Sequence, residues 1–385
     1  MQLSVIILNY NVRYFLEQCV FSVQKALENI DGEIIVVDNN SSDDSCAMMK
    51  EKFPNIRLIE NKENLGFPKG NNVGVADAKG EYICILNPDT VVAEDTFSKI
   101  LSFCHTELVE VSKFNLGIIG CKLIDGTGNF LPESKRGVPT PWVAFTKIFW
   151  LYKLFPNSSW FNKYYAQHLS ENQSGEVDIL VGAFMVMKRK LYLEVGGFDE
   201  NCFMYSDDID LSYMVKKLGK QNYYFADTTV IHYKGESTVR DGLYMKRFRE
   251  AMQFFYKKHF KNSVFFDVMM KMGAFVFSLI KKNQQKEVQY IIDEYVVFSK
   301  DEVELNLNKK TTYLNELSLF KNDKTLNVEI IFETNSFTFK EIINFMGMNK
   351  STNITFKNHV FTSDFMIGSN SSNDRGKVIL IENLN

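Results

Sequence analysis

Short apolar runs that each stop on a polar or acidic residue constrain this chain more than any other feature. Tyr82-Ile-Cys-Ile-Leu86 is followed by Asn87-Pro88-Asp89. Proline cannot continue a hydrogen-bonded ladder, so the run reads as a buried parallel strand whose C-terminal end delivers the Asp89 carboxylate into a crevice. Leu3 to Leu8 runs into the polar turn Asn9-Tyr10-Asn11, and Glu33-Ile-Ile-Val-Val ends on Asp38. Between these runs Leu16, Cys19, Val20, Val23 and Leu27 recur at helical spacing, and Asn39 to Asp43 supplies turn residues and a helix cap. Ile56 to Ile59 predicts a third strand, and Pro68 opens a short helix that ends near Gly80. The alternation predicts an α/β protein with a doubly wound, mostly parallel sheet, and puts Asn9, Asp38 and Asp89 on the rim where open α/β sheets bind ligands. A hard carboxylate there suits a divalent cation carrying phosphate oxygens. The plainer alternatives are an ordinary Asn-Pro-Asp turn and, for Asp38, a helix-capping acid.

The chain of 385 residues is 45% hydrophobic and 24% charged, the balance of a folded protein long enough for two domains. A formal net charge of −3 gives no global footprint for nucleic acid, so any anion must be held by a local site. Six cysteines show neither zinc-site pairs nor the density of a disulfide scaffold, which fits a reducing compartment. Met1 leads straight into Leu3 to Leu8 without a basic leader, so a cytoplasmic location is expected. The turn after the first run is Asn-Tyr-Asn, not Gly-x-Gly-x-x-Gly, and no Walker loop occurs. A dehydrogenase therefore lacks its phosphate cradle, and a cation on Asp89 would neutralise a diphosphate instead.

Four motifs in order carry a resemblance: Val5-Ile-Ile-Leu-Asn-Tyr-Asn11, Ile35-Val-Val-Asp-Asn-Asn-Ser-Ser42, Asn64-Leu-Gly-Phe67 with Gly70-Asn-Asn-Val-Gly74, and Leu86-Asn-Pro-Asp-Thr90. Together they resemble glycosyltransferase family two, in particular its rhamnosyltransferase-like branch in bacterial polysaccharide synthesis. The resemblance implies an inverting enzyme of the GT-A, Rossmann-like fold, using a nucleoside-diphosphate sugar with Mg2+ or Mn2+. It implies that Asp38 contacts the base, that Asn9, Tyr10 and Asn11 line the ribose and base, that Lys69 lies near the nucleotide, and that Asp89 binds the metal. The usual Asp-x-Asp has Asn87 in its first position here. The amide still offers an oxygen, but the lower charge predicts loose metal binding.

Further on, Ser134-Lys135-Arg136 leads into Pro139-Thr-Pro-Trp142 and an aromatic-rich stretch from Phe145 to Phe161 that reads as irregular. Aromatic faces stack on sugars or form a local core under a lid. The resemblance places this region, with Arg136 and Trp142, around the acceptor. Phe203 to Leu211 holds three acids in four positions, Asp207, Asp208 and Asp210. Crowded carboxylates need a proton or cation to share, and a helix start accounts for Asp210. By resemblance to Glu-Asp-x-Asp-Leu, Asp207 takes the Glu position and Asp208 is the general base, removing the acceptor proton opposite the leaving diphosphate. His232, followed by Gly235 and Ser237, matches His-x-x-Gly-x-Ser. That match assigns His232 to the metal or diphosphate, with Ser237 beside it; without it, a lone His after a strand is a structural residue. Cys104 to Ser112 reads as a surface loop of extra length.

The expected organisation is a catalytic domain over 1–243, a basic aromatic helical linker over 244–283 and a small α/β domain of unassigned role over 284–385. Tyr244 to Phe260 predicts a helix, and Val264 to Ile280 falls short of a membrane span because Asp267 and Lys271 interrupt it. The linker either lies on anionic lipid, meeting a lipid-linked acceptor, or packs on the catalytic domain. Val328 to Phe332, Ile354 to Phe356 and Lys377 to Ile381 predict strands, Thr338 to Glu341 a capping box opening a helix to Met346, and Phe365 to Ser372 a Gly-Ser loop. The rival readings are a degenerate transferase acting as scaffold in a polysaccharide assembly complex and a sugar nucleotidyltransferase. The first conflicts with the joint presence of Asp38, Asp89, Asp208 and His232, and the second needs the Gly-rich loop this chain lacks.

Overall fold

The computed structural model describes residues 1–110, 115–155, 158, 160–234, 242–260, 290–302, 305, 307–360, 363, 365–372 and 376–381. In its first part β1 (Leu3–Asn9), β2 (Gly32–Asp38), β3 (Arg57–Glu60) and β4 (Tyr82–Leu86) alternate with α1 (Arg13–Leu27), α2 (Ser45–Lys52) and α3 (Gly66–Asp77). The next elements are β5 (Thr90–Val91), α4 (Thr96–Glu110), β6 (Leu116–Ile124), β7 (Lys135–Arg136), α5 (Pro141–Ile148) and α6 (Leu151–Leu154). Then come β8 (Gly175–Val177), β9 (Ile179–Leu180), β10 (Phe184–Lys188), α7 (Arg189–Glu194), α8 (Asp207–Lys217), β11 (Gln221–His232) and α9 (Gly242–His259).

The main sheet has nine strands, in the order β3-β2-β1-β4-β10-β6-β11-β5, with β8 paired to β11. β1 is parallel to β2 and β4, and β11 to β6, while β10 enters antiparallel between β4 and β6. This is the doubly wound, mostly parallel α/β architecture expected from the sequence. Every residue of β1 is buried because helices cover both faces. Val5 and Ile7 join the layer with Leu16 and Val20 of α1, whereas Ile6 and Leu8 join the layer on the opposite face. Gly70 and Gly74 let α3 lie directly on β1: a Cβ on Gly70 would stand 2.5 Å from Leu8 Cδ1, and one on Gly74 2.6 Å from Ile6 Cγ2.

A second, six-stranded sheet follows, built from β12 (Glu294–Phe298), β13 (Lys310–Leu314), β14 (Val328–Glu333), β15 (Ile354–His359), β16 (Phe365–Ser369) and β17 (Lys377–Leu380), in the order β13-β12-β14-β15-β16-β17. Its first four strands in that order are parallel. Between β14 and β15 runs α10 (Phe339–Asn349), opened by the expected capping box of Thr338 and Glu341. This sheet shares a core with the first part of the chain: Phe15, Val91, Ile231 and Tyr233 pack with Phe298, Phe332, Phe339 and Phe356.

Three local expectations are corrected. Residues 104–110 continue α4, because Phe97, Ile100, Leu101 and Cys104 keep one helical face buried. The stretch from Phe145 is partly helical, since the Thr140 side chain caps α5 by accepting from Val143 N at 3.3 Å and Pro141 opens it. Phe365 to Ser369 is a strand. Gly368 sits there because a Cβ would lie 1.9 Å from the Phe356 carbonyl oxygen on the neighbouring strand. Of the linker, α9 packs on the first part through Met252, Phe255 and Tyr256 against Ile179 and Ile209. The run from Val264 to Ile280 lies outside the described residues, and among the described residues no helix is long and apolar enough to cross a membrane.

Candidate active site

Parallel strands bring their C-terminal ends to one rim. Asn9 and Asp38 stand in register at the ends of β1 and β2. The Asn9 amide donates to Asp38 Oδ1 at 2.8 Å and to Ser41 Oγ at 3.1 Å, and Asp38 Oδ2 accepts from Ser41 N at 2.8 Å. The acid that reaches the start of α2 is Asp43, whose Oδ1 accepts from Ser45 N at 3.1 Å, so Asp38 is not a helix-capping acid. Asn11 takes φ +56°, a left-handed conformation that asparagine tolerates, and its Oδ1 accepts from Ser42 N at 2.7 Å. Tyr10 is exposed beside it, and Lys69 stands on the exposed side of α3. Asn39 ties the neighbouring loop to the rim, accepting from Leu65 N at 3.3 Å and donating to Gly66 O at 3.1 Å.

A second group forms where β4 runs out. Pro88 turns the chain into β5, and Thr90 of β5 is the antiparallel partner of His232 on β11. That pairing sets His232 Nε2 at 3.5 Å from Asp89 Oδ2 and at 3.5 Å from Asn87 Nδ2. The Asp89 carbonyl accepts from Tyr233 N at 3.0 Å, which fixes the crossing. Lys234 and Glu133 pair at 3.2 Å next to this group. Despite an opposing desolvation, Lys234 and His232 hold the Glu133 carboxyl below its usual range. Ser237 lies outside the described residues.

The acidic triplet opens α8, with all three acids in its first turn. Each carboxylate is accommodated differently. Asp208 Oδ2 receives Arg136 Nη2 at 2.5 Å and Gly182 N at 3.0 Å. Asp210 is held by α9, through Lys258 Nζ at 2.7 Å and His259 Nε2 at 2.5 Å. Its role is to anchor that helix, beyond the dipole interaction expected for it. Asp207 is pushed up to about 7, first by burial and then by the neighbouring Asp208.

The segment 180–183 joins the groups. Ala183 O accepts from Asn87 N at 3.0 Å, Gly182 N reaches Asp208, and Arg136 Nη2 also touches Leu180 O at 3.4 Å. Asn87, which stands beside His232, and Asp208 therefore bond to adjacent residues of one short stretch of chain. Arg136, placed near the acceptor from the sequence, is the direct partner of Asp208. Trp142 stands apart in its own lobe, its Nε1 donating to Trp160 O at 2.9 Å and its ring stacked on Phe145 at 5.6 Å. Sequence reasoning missed Ser41, Gly182 and Glu133. Ser41 could have been found from the turn motif after β2, whereas nothing local marks the other two.

Several buried polar atoms on this rim lack a protein partner: Asn9 Oδ1, Asn87 Oδ1, Asp89 Oδ1, His232 Nδ1 and Arg136 Nε. Buried polar groups are ordinarily hydrogen-bonded, so Asn87, Asp89 and His232, which stand together, keep polar atoms available to a ligand or to water. The oxygens of Asn87 and Asp89 with the His232 imidazole suit a hard to borderline divalent cation. Among the described residues no three His, Cys, Asp or Glu side chains gather at one point.

A mostly parallel sheet with polar groups at the C-terminal ends of its strands defines the class, an α/β protein with those groups on the rim where open α/β sheets bind their ligands. The chain belongs to glycosyl transferase family 2, whose model matches residues 4–196, half of its length. It is similar to the N-acetylglucosaminyl-diphospho-decaprenol L-rhamnosyltransferase of Mycobacterium tuberculosis, with 27% identity over 62% of this chain and 78% of the relative. It is also similar to rhamnosyltransferase WbbL of Escherichia coli, with 26% identity over 55% of this chain and 78% of that one. Among solved structures, the mannosyltransferase PcManGT from Pyrobaculum calidifontis in complex with GDP-Man and Mn2+ aligns over 74% of this chain and 76% of its own, at 17% identity and a TM-score of 0.45.

Proposed function

We propose that this glycosyltransferase is an inverting enzyme that moves a sugar from a nucleoside-diphosphate donor to a bacterial cell-surface glycan or lipid-linked acceptor. Rhamnose is the candidate sugar, by similarity to the two rhamnosyltransferases. The observation that carries the reading is the meeting of Asn87, Asp89 and His232, each with a buried polar atom lacking a protein partner, at a strand end tied through Ala183 and Gly182 to the Asp208 carboxylate.

In this reading Asn9, Tyr10, Asn11, Asp38 and Lys69 hold the nucleoside, and Asn87, Asp89 and His232 hold Mg2+ or Mn2+ with the diphosphate. A bound divalent cation would stabilise the charge that develops on the departing diphosphate. Asp208 accepts the proton of the acceptor hydroxyl as that oxygen attacks the anomeric carbon from the opposite face. Arg136 and Gly182 N orient the carboxylate, so its direction is set before the acceptor arrives. Asp207 favours its neutral form through burial, which limits repulsion beside the base. Trp142 belongs to the acceptor side.

The test is nucleoside diphosphate release from a panel of sugar donors with Mn2+ and acceptor. Asp208→Asn is expected to lose acceptor-dependent turnover by about 10²–10⁴-fold, with donor binding retained in a thermal-shift assay. Equal release by wild type and Asp208→Asn would remove Asp208 as the base. Donor binding that is indifferent to Asp89→Asn and to the cation would remove the metal assignment.

A further inference from the structure

The three tryptophans of the chain, Trp142, Trp150 and Trp160, all fall between Glu133 and Glu171, a stretch without a single Asp or Glu. Forty-seven acids in 385 residues would place four or five in a stretch of that length, yet it carries Lys135, Arg136, Lys147, Lys153 and Lys163. In the fold it forms a lobe with two unlike faces. Inward, Val138, Ala144 and Phe145 pack against Ile179, Ile209 and Phe255. Lys147 lies 3.6 Å over the ring of half-buried Tyr164, and Gly137, next to the Arg136 that pairs with Asp208, donates its N–H to Tyr164 O at 3.2 Å. The lobe is thus rooted beside the candidate base. Outward, Trp142, Trp150 and Trp160 are 46%, 40% and 71% exposed, and Leu154 and Phe155 68% and 51%. Trp150 takes φ +53°, a conformation costly for a bulky residue, where the chain turns from α5 into α6.

We propose that the outer face of this lobe docks on an anionic lipid bilayer. Indole rings settle at the boundary between acyl chains and headgroups, Leu154 and Phe155 supply apolar insertion, and lysines such as Lys153 and Lys163 reach lipid phosphates along their apolar stems. The absence of acids is the decisive feature. A protein partner of mixed charge is met by a surface of mixed charge, whereas exposed aromatics with Lys153 and Lys163, on a stretch of chain that contributes no acid, complement a uniformly anionic plane. Docking there would bring a lipid-linked acceptor to the side of Asp208. Only that last step rests on the transferase reading.

The experiment uses the full chain without donor or acceptor. Sedimentation with phosphatidylglycerol–phosphatidylcholine vesicles is expected to show binding that weakens with salt and shifts tryptophan emission to the blue, with little binding to pure phosphatidylcholine. Leu154→Ser combined with Trp160→Ser, and separately Lys153→Glu combined with Lys163→Glu, are each expected to lower the partition by about tenfold, with thermal melting and donor hydrolysis unchanged. Wild-type vesicle binding shared by both variants would overturn the proposal by placing the contact elsewhere. Indifference of the wild type to vesicles, with a dimer that the Leu154/Trp160 variant dissolves, would overturn it in favour of a second copy. Neither result touches the transfer assay, so failure of this proposal is distinct from failure of the transferase reading.

Discussion

Asp207, Asp208 and Asp210 lie within four positions of one another, and the fold supplies each with a different way of being buried: a proton, an arginine, and a lysine–histidine pair. The difference sets a pH dependence. A carboxyl whose value is raised in the folded state supports folding fully below its unfolded value of about 4, and that support is lost as pH rises through about 7. Replacing Asp207 by its neutral isostere should therefore matter little near pH 4 and help increasingly above it. Denaturant unfolding of Asp207→Asn is expected to match wild type at pH 4 and exceed it by up to about 4 kcal/mol at pH 8. A stability difference that does not change with pH would mean that Asp207 is not held neutral. That acids here need a proton or a cation is legible in the sequence. Which acid receives which is not, because Arg136, Lys258 and His259 stand 72, 48 and 49 residues from their partners.

At the scale of elements, the two halves of the rim are joined by a turn and a loop. Gly66 opens α3 at φ +80°, where its Cβ would lie 2.8 Å from Phe203 Cδ2 and 2.9 Å from Phe203 O. Phe67 N donates to that same carbonyl at 3.0 Å. The loop from Phe203 runs directly into α8, so the donor-side loop and the start of the acidic helix share one contact. Gly66→Ala combines a strained φ with a close approach to backbone and is expected to cost about 1–3 kcal/mol, with a lower transfer rate at saturating donor. Melting curves and initial rates check it, and a variant matching wild type in both would show that the loop adapts freely. The Asn-Leu-Gly motif was legible as a family mark. Its mechanical reason, close packing against a segment 137 positions away, was not.

For the molecule as a whole, the C-terminal sheet and the main sheet are bound by polar contacts as well as by a common core. Glu94 accepts from Phe339 N at 2.8 Å and Lys340 N at 2.9 Å, so a side chain from the first part of the chain serves the start of α10. Lys340 returns the contact to Asp95 at 2.7 Å, and Lys25 donates to Thr334 O at 3.0 Å. Tyr233, one residue past His232, receives the Asn358 amide at 3.2 Å. The C-terminal sheet thereby braces the strand that carries the candidate cation site. Glu94→Ala leaves two helix-start N–H groups without their acceptor and is expected to lower stability by about 1–2 kcal/mol. Hydrogen exchange should quicken first in the opening turn of α10. Unchanged exchange there would mean that the capping box of Thr338 and Glu341 suffices alone.

Local chemistry in the chain was enough to determine the alternation of strands and helices, the ends of β1 and β2 in Asn9 and Asp38, the turn through Asp89 that follows β4, the capping box before α10, and the family motifs. Each depends on residues within a few positions of one another: apolar period, proline stops and capping side chains act over that range. Only the tertiary structure decided that β5 sets His232 against Asp89, that Arg136 pairs with Asp208, that α4 continues through 104–110, and that Phe365 to Ser369 is a strand. Those outcomes depend on partners far along the chain, whose approach is settled when both faces of each sheet are covered.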